Sequence, residues 1–227
     1  MTEPYYDDGH VTIYNGDCRE IVPTLGLARS VLVVTDPPYG IAWDTEYSGR
    51  GMGERTESHD YPPVYGDDEP FDPAWLLERF NRLVLFGANN YATRLPDSAG
   101  WIVWDKTGNG RHVSDLSDAE MAWTNVTGGV RIYSHMWKGM LKDSERADNR
   151  VHPTQKPVAL FRWVLDKFSK PGDVVLDPYM GSGSVLRAAK DCGRRVVGVE
   201  YVEAYCAVAA RRMAQEVLDL GARTGGF

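Results

Sequence analysis

The sequence predicts an α/β fold built on one mixed, mostly parallel and doubly wound sheet. The first observation is a set of short, apolar, β-branched runs that alternate with segments of helical periodicity. The second is that two of these runs end in Asp-Pro, at residues 36–37 and 177–178. The third is the Gly-Ser-Gly turn at 181–183, which joins such a run to a strong helix former, as in nucleotide-binding folds.

Seven segments are predicted to be strands because each is short, apolar and bounded by turn residues. Glu120 lies in the fifth segment, which alternates more than the others and is therefore expected at a less buried edge. Apolar residues at helical spacing predict a helix from Val158 to Phe168 and another from Val202 towards Leu218. The seven segments are 11–14, 31–34, 83–86, 101–104, 119–123, 174–176 and 195–200.

Composition favours an intracellular enzyme of one domain, residues 1–227. The three cysteines, Cys18, Cys192 and Cys206, are scattered and form no C-x-x-C pair, so neither a disulfide scaffold nor a metal site is expected. The chain begins with a polar, acidic segment, and no apolar run approaches transmembrane length. We therefore expect a cytoplasmic protein with no membrane partner.

The tetrapeptide Asp36-Pro37-Pro38-Tyr39 follows a buried-strand run, and ligands of open α/β sheets bind at the carboxyl ends of strands. Its two prolines end the strand and fix the direction of the backbone. A carboxylate, a rigid carbonyl and an aromatic ring then lie together and could hold a planar, amino-bearing group. A surface turn is the alternative interpretation, since Asp-Pro and Pro-Pro are common in loops.

The Gly-rich turn lacks both the G-x-G-x-x-G spacing of dinucleotide sites and the Gly-Lys-Ser/Thr of phosphate-binding loops. Glu200 ends the next predicted strand, where an acid suits the two hydroxyls of a ribose. A ribose site without a pyrophosphate motif indicates a ligand that carries adenosine but is not a dinucleotide. S-adenosylmethionine is the leading candidate.

Together with the motif His152-Pro153-Thr154-Gln155-Lys156-Pro157, these features resemble the amino-methylating (N6-adenine or N4-cytosine) DNA methyltransferases of the β group. In that group the catalytic tetrapeptide precedes the Gly-rich turn, and the likeness covers roughly 11–213. The resemblance implies the seven-stranded sheet of S-adenosylmethionine-dependent methyltransferases with circularly permuted motifs. It also implies double-stranded DNA as substrate, with a homodimer and a cognate restriction enzyme as the further partners considered.

The resemblance implies that catalysis rests on Asp36, Pro37, Pro38 and Tyr39. It places Glu200 at the ribose, and Thr154 with Lys156 at the carboxylate end of the cofactor. The resemblance also places Asp17 at the adenine amino group of the cofactor. Two alternatives stay open, because Asp17 could instead cap the helix that follows it and Thr154 could cap a helix before Pro157. The full implied cofactor set is Asp17, Cys18, Asp36, Thr154, Lys156, Asp177, Tyr179, Gly181, Ser182, Gly183, Glu200 and Tyr201.

The net charge of −7 is unusual for a protein that binds phosphates, but the charges are unevenly distributed. Between residues 131 and 156 six Lys or Arg stand against three Asp or Glu, a modest basic strip. A solvated loop of mixed charge is the alternative interpretation. The DNA contacts we expect are Lys106, Arg111, Lys138, Lys142 and Arg146.

Three stretches have no apolar periodicity, and long loops of this kind in a compact domain are commonly functional. Residues 41–72 are expected to form a lid over the target, and the resemblance implies short DNA-recognition insertions at 107–118 and 128–151. The target base must be flipped out of the duplex to present its amine. Within the family, Asp at the first position of the tetrapeptide favours adenine N6; the alternatives are cytosine N4, methylation of RNA or a protein amide, and a non-catalytic cofactor-binding subunit.

Overall fold

A nine-stranded mixed sheet organises the computed structural model, which describes residues 2–40, 65–108, 117–138, 141–145 and 155–214. Two further strands, β8 and β9, form a separate antiparallel hairpin. The strands are β1 Tyr6–Asp7, β2 Val11–Asn15, β3 Leu32–Thr35, β4 Arg82–Phe86, β5 Trp101–Asp105, β6 Ala119–Thr124, β7 Val130–Ser134, β8 Trp137–Lys138, β9 Leu141–Lys142, β10 Val174–Asp177 and β11 Arg195–Glu200.

The strand order in the large sheet is β1-β2-β11-β10-β3-β4-β6-β5-β7. Strands β2, β11, β10, β3 and β4 are mutually parallel, whereas β6 runs antiparallel to both of its neighbours. The middle seven strands are the seven predicted from the sequence. The predicted mixed, mostly parallel sheet is confirmed, with one strand added at each edge, β1 and β7.

The expected edge position of the Glu120 strand is wrong. Strand β6 lies between β4 and β5, and the edge is β7, whose residues 130–134 fall inside the stretch expected to be an insertion. The error has a physical cause on each strand. Glu120 is tolerated in an interior strand because two lysines pair with its carboxylate. The sequence of β7 lacks the apolar pattern of a buried strand, because Val130 and Ile132 are exposed at the edge of the sheet.

Helices cover both faces of the sheet, as the doubly wound prediction requires. Alternate residues of one strand face opposite cores: Leu32 and Val34 pack with α3 to α5, and Val33 packs with α1 and α2. The helices are α1 Cys18–Thr24, α2 Ala74–Arg79, α3 Val158–Phe168, α4 Ser184–Asp191 and α5 Glu203–Ala214, with 3₁₀ turns at Ala88–Asn90 and Ala92–Arg94.

The strand order reverses between β10 and β3, and this reversal positions the site. From β10 the chain crosses through α4 to β11 on one side, whereas from β3 it reaches β4 on the other side. A crevice therefore opens at the carboxyl ends of these two neighbouring strands, where ligands of such sheets bind. Within the described residues, no helix has the length and apolar character needed to cross a membrane.

Candidate active site

The predicted tetrapeptide lies directly after β3, with its side chains gathered around one lysine. Asp36 accepts a hydrogen bond from the Tyr39 hydroxyl through Oδ1 and one from the Lys156 ammonium through Oδ2. Lys156 Nζ also donates to the Tyr39 hydroxyl oxygen at 2.9 Å. Only 6% of the Lys156 side chain is exposed, so this ammonium is buried against the carboxylate it pairs with.

Two residues of the neighbouring strands extend this arrangement. Glu120 on β6 places Oε2 3.3 Å from Lys156 Nζ, and its Oε1 accepts a hydrogen bond of 3.0 Å from Lys106 just beyond β5. Two ammonium groups thus alternate with two carboxylates. We call Asp36, Tyr39, Lys106, Glu120 and Lys156 the lysine–carboxylate network.

The pKa values in this network follow from burial opposed by opposite charges. Burial raises the pKa of Asp36, and the Lys156 charge only partly opposes it. Burial acts to raise the pKa of Glu120 too, but Lys156 and Lys106 together outweigh it and lower that pKa. For Lys156, burial is outweighed by Asp36 and Glu120, which raise its pKa. The ammonium of Lys156 and the carboxylate of Glu120 are therefore charged at neutral pH.

The backbone and ring of Tyr39 are held by residues that the motif does not contain. Asp67 Oδ1 accepts hydrogen bonds from the backbone N–H of Tyr39 at 2.9 Å and of Gly40 at 2.8 Å. The Tyr39 ring lies against Gly87, at the end of β4, where a Cβ would overlap three ring atoms. Gly87 also has a φ of +68°, so glycine is required there twice over.

A row of carboxylates follows four neighbouring strands, and we call its members the strand-end acids. In the order β2, β11, β10 and β3, they are Asp17, Glu200, Asp177 and Asp36. The carboxyl ends of these parallel strands meet at one edge of the sheet, so the four side chains border one crevice.

The two middle acids are bound by the turn that follows β10. Glu200 accepts the backbone N–H of Gly181 at 3.0 Å and that of Val202 at 2.8 Å. Asp177 Oδ1 accepts the Thr35 hydroxyl at 2.7 Å and the Tyr179 N–H at 3.2 Å. Burial raises the pKa of Glu200 despite its hydrogen bonds, and raises the pKa of Asp177 to about 7. Among the described residues, neither carboxylate forms an ion pair.

The family follows from comparison of the whole chain with known proteins. A family model described as DNA methylase, of the N6 and N4 type, matches residues 56–211, which is more than half of the sequence. The chain belongs to this DNA methylase family. The predicted resemblance is thereby confirmed at the level of the family.

Individual relatives agree with this assignment. The type II methyltransferase M2.DpnII of Streptococcus pneumoniae is 23% identical over 252 residues, covering 95% of this chain and 94% of that protein. The structure of the M1.HpyAVI–SAM complex matches 90% of this chain and all of its own, with a TM-score of 0.54 and 21% identity. The cytosine-N4-specific PvuII DNA methyltransferase matches 95% of this chain and 90% of its own, with a TM-score of 0.62 and 15% identity. At these identities the structural likeness establishes the fold.

S-adenosylmethionine is the cofactor of the DNA methylase family, and the residues of the crevice fit it. Its sulfonium and ammonium are cations, which suits the buried carboxylates of Asp177 and Glu200. Its carboxylate suits the N-terminus of α4, where Gly183 occupies the N-cap and no side chain caps the helix. Ser184 beside it has a buried hydroxyl that makes no hydrogen bond within the described residues. Ser184 directly follows the Gly-Ser-Gly turn, but it was not among the residues predicted from the sequence.

Other predicted cofactor residues have structural partners in this DNA methylase. Asp17 accepts the N–H of Arg19 at 2.8 Å, so the helix-capping alternative is confirmed, and a contact with adenine stays a prediction. Cys18 is buried in the core formed with α1 and α2, against which Tyr179 packs. Ser182 accepts two hydrogen bonds from the Arg212 guanidinium on α5. Asp17, Cys18 and Ser182 therefore each have a structural role, and their contacts with the cofactor stay predictions.

Tyr201 is half exposed and stacks on Tyr65, with ring centroids 3.9 Å apart. Lys156 contacts Asp36 and Tyr39 of the tetrapeptide, and its predicted contact with the cofactor carboxylate stays a prediction. Thr154 lies outside the described residues. The N-cap of α3 is Pro157, and the capping alternative for Thr154 stays a prediction.

Of the five predicted DNA contacts, the structure describes the side chains of Lys106 and Lys142. Lys106 pairs with Glu120 and has only 13% of its side chain exposed, so it belongs to the lysine–carboxylate network. Lys142 lies with Nζ 4.8 Å from the centre of the Trp137 ring on the separate hairpin. Arg111, Arg146 and the side chain of Lys138 lie outside the described part of the chain, as do residues 41–64 of the expected lid, and their roles stay predictions.

Proposed function

We propose that this DNA methylase transfers the methyl group of S-adenosylmethionine to the exocyclic N6 amine of adenine in double-stranded DNA. One observation carries the proposal: the Asp36 carboxylate and the Tyr39 hydroxyl already accept hydrogen bonds from a nitrogen donor, the ammonium of Lys156. A site that holds an amino group between a buried carboxylate and an aromatic residue is suited to an amino-bearing base. The strand-end acids beside it supply a place for a cationic cofactor.

The cofactor pocket follows from the strand-end acids and the turn after β10. Glu200 accepts the ribose hydroxyls with the lone pairs that its two backbone donors leave open. Asp177 faces the cationic end, and the N-terminus of α4 with Ser184 binds the carboxylate. Bound S-adenosylmethionine supplies the methyl group: the base nitrogen bonds to the methyl carbon, the carbon–sulfur bond breaks with its electron pair left on sulfur, and the nitrogen loses one proton.

Asp36 and the Pro37 carbonyl activate the target amine. The lone pair of an exocyclic amine is delocalised into the ring, so acceptors that draw the NH₂ towards tetrahedral geometry stabilise the charge that develops on nitrogen. The raised pKa of Asp36 suits it to take up the released proton. Pro38 fixes the turn, and the Tyr39 ring stacks on the flipped base, which contributes about 1–3 kcal/mol by analogy with other base–aromatic stacks.

Cytosine N4 is the second candidate, because a cytosine-N4-specific enzyme is among the structural matches and both amines need the same acceptors. The aspartate at the first position of the tetrapeptide supports adenine. We further propose that DNA contacts come from Arg111, Lys138, Lys142 and Arg146, that residues 41–72 close over the target, and that 107–118 and 128–151 read the sequence. The type II relative M2.DpnII supports a restriction-enzyme partner.

The test is methylation of DNA that carries no modification. Purified protein and S-adenosylmethionine are incubated with unmethylated double-stranded DNA, with RNA and with a protein extract, and the digested products are analysed by mass spectrometry. We expect N6-methyladenine in DNA only, and sequencing of the product then gives the recognition site. N4-methylcytosine in DNA would replace the adenine proposal with the second candidate. Methyl transfer confined to RNA or protein, or none at all, would contradict DNA as the substrate.

A further inference from the structure

Lys156 occupies the position that the proposed target amine must take. Its ammonium is a nitrogen donor that bonds both Asp36 Oδ2 and the Tyr39 hydroxyl, while Tyr39 engages the other oxygen, Oδ1. A base amine entering the site meets the same Asp36 carboxylate, with the Pro37 carbonyl as its second acceptor. Base and lysine therefore compete for one carboxylate.

A buried ammonium that loses its acceptor is costly unless another acceptor is close. Lys156 has such an acceptor in Glu120, whose Oε2 is buried, lies 3.3 Å from Nζ and makes no hydrogen bond of normal geometry within the described residues. The other oxygen of Glu120 is held by Lys106 at 3.0 Å. Glu120 is thus fixed in position, ionised and ready to accept.

We propose that Glu120 is a positioning residue that receives the Lys156 ammonium when the amine of the target base takes its place on Asp36. The inference rests on the proposed function, since it concerns an amine bound by the tetrapeptide. Displacement needs only a small shift of Nζ, because the ion pair with Glu120 already exists. Lys106 keeps the charge balanced, so that two ammonium groups face two carboxylates before and after the exchange.

A purely structural role makes a different prediction. If Glu120 only neutralises Lys156, its loss weakens the site equally for every base. If Glu120 receives the ammonium, its loss penalises bases that carry an amino group and spares bases that lack one. The ratio of the two affinities therefore separates the roles.

The experiment uses the protein loaded with S-adenosylhomocysteine, so that no turnover occurs. Its affinity is measured by fluorescence anisotropy for two duplexes that contain the mapped recognition site. One carries the normal target base, and the other carries the same base without its amino group, purine for adenine or 2-pyrimidinone for cytosine. The variants are Glu120→Gln, which removes the charge at constant size, and Glu120→Asp, which keeps it. The matched control is Asp8→Asn, since Asp8 is an ion-paired acid of similar exposure, 21% against 27%, far from the site.

In Glu120→Gln we expect the ratio of affinities, amine-bearing over amine-lacking, to fall by about tenfold, the effect of losing one hydrogen bond to a charged group. Glu120→Asp should recover part of the ratio, and Asp8→Asn should leave it at the wild-type value. The affinity for S-adenosylhomocysteine should be the same in all variants. Thermal melting confirms that each variant is folded.

Equal weakening of both duplexes in Glu120→Gln, or a ratio like that of Asp8→Asn, overturns the inference. The proposed function fails separately, since it is judged by methylation of DNA by the wild-type protein. If the wild type methylates DNA and the ratio does not change, only the role of Glu120 is lost. If the wild type methylates no DNA, both are lost.

Discussion

The two halves of the crevice differ in how their carboxylates are balanced. On the proposed target side Asp36 and Glu120 pair with Lys156 and Lys106 inside the protein. On the proposed cofactor side Asp177 and Glu200 have hydrogen bonds from hydroxyl and backbone donors but, among the described residues, no ion pair. The difference fits the two ligands, because a neutral base brings no charge and S-adenosylmethionine brings a sulfonium and an ammonium.

This comparison gives each half its own response to substitution. Changes on the target side should affect methyl transfer and leave the cofactor bound. Changes on the cofactor side should weaken the binding of S-adenosylmethionine, which carries a sulfonium charge, more than the binding of S-adenosylhomocysteine, which does not.

The largest effect is expected for Asp36→Ala. Loss of the carboxylate that binds the amine should lower single-turnover methylation of DNA by about a hundredfold to a thousandfold or more, as for the loss of one preorganised group in other active sites. The affinity for S-adenosylhomocysteine, measured by calorimetry, should change little. Asp8→Ala removes another ion-paired aspartate and serves as the control. An equal loss of cofactor affinity in Asp36→Ala would sink the division between the two halves.

Gly87→Ala should give the next largest effect. A Cβ at this position would overlap the Tyr39 ring, so the ring must leave its place beside Asp36. We expect methylation to fall by about tenfold to a hundredfold, in line with the sensitivity of catalysis to small displacements of positioned groups. Cofactor affinity should hold, and single-turnover kinetics with calorimetry measure both quantities.

The control for Gly87→Ala is Gly172→Ala. Gly172 has a φ of +87°, close to the +68° of Gly87, but a Cβ there meets nothing within 4 Å. Both variants should therefore lose about 1 kcal/mol of stability through backbone strain. Only Gly87→Ala should lose activity. If both variants retain full activity, the contact between Gly87 and the Tyr39 ring does not matter for catalysis.

A smaller effect is expected from pH on the cofactor side. The pKa of Asp177 is about 7, raised by burial, so this carboxyl is protonated at lower pH and anionic above. The affinity for S-adenosylmethionine should therefore fall as the pH drops below about 7, by at most about tenfold per pH unit for one group. The affinity for the uncharged thioether of S-adenosylhomocysteine should fall less.

Calorimetric titration of both compounds between about pH 5.5 and 8.5 tests this expectation. In Asp177→Asn the ratio of the two affinities should depend less on pH than in the wild type. A wild-type ratio that is constant over the whole range would contradict the role of Asp177 as a partner of the cofactor charge.

The sequence predicted the positions of the strand-end acids better than it predicted the lysine–carboxylate network. The turn at 181–183 and Glu200 are close to strand ends along the chain, so local patterns were sufficient to place them. The lysine–carboxylate network joins residues that follow β3 and β5 to Glu120 in β6 and Lys156 before α3, and no local pattern connects these four segments. Glu120 in particular was interpreted as a mark of an exposed edge, because an acid in a strand signals solvent unless its partners are known.

The same limit applies to the groups that hold Tyr39. Asp67 lies in an acidic run that resembles a solvated loop, and Gly87 follows a strand as many turn glycines do. Only the folded chain shows that the first binds the backbone of the tetrapeptide and the second makes room for its ring. Strand β7 escaped prediction for the related reason that its apolar residues face outward.

The smallest predicted effect is on the stability of the free protein. It follows from the burial of Asp177, which forms no ion pair among the described residues. The pKa of Asp177 is about 7 in the folded protein, above the ordinary value of 3.8, so the folded state binds the proton more tightly than the unfolded state. The free energy of unfolding should therefore decrease as the pH rises from about 4 to about 7, by at most about 1.4 kcal/mol per pH unit, and level off above.

Denaturant unfolding of the cofactor-free protein at several pH values measures this slope. Asp177→Asn cannot ionise, so it should remove the contribution of this group and be relatively more stable than the wild type at pH 8 than at pH 5. Asp8 provides the opposite control, since its pKa is lowered to about 2 and it should add no slope above about pH 5. If the free energy of unfolding depends on pH in the same way for Asp177→Asn and the wild type, burial does not raise the pKa of Asp177. The contrast between the two halves of the crevice then rests on Glu200 alone.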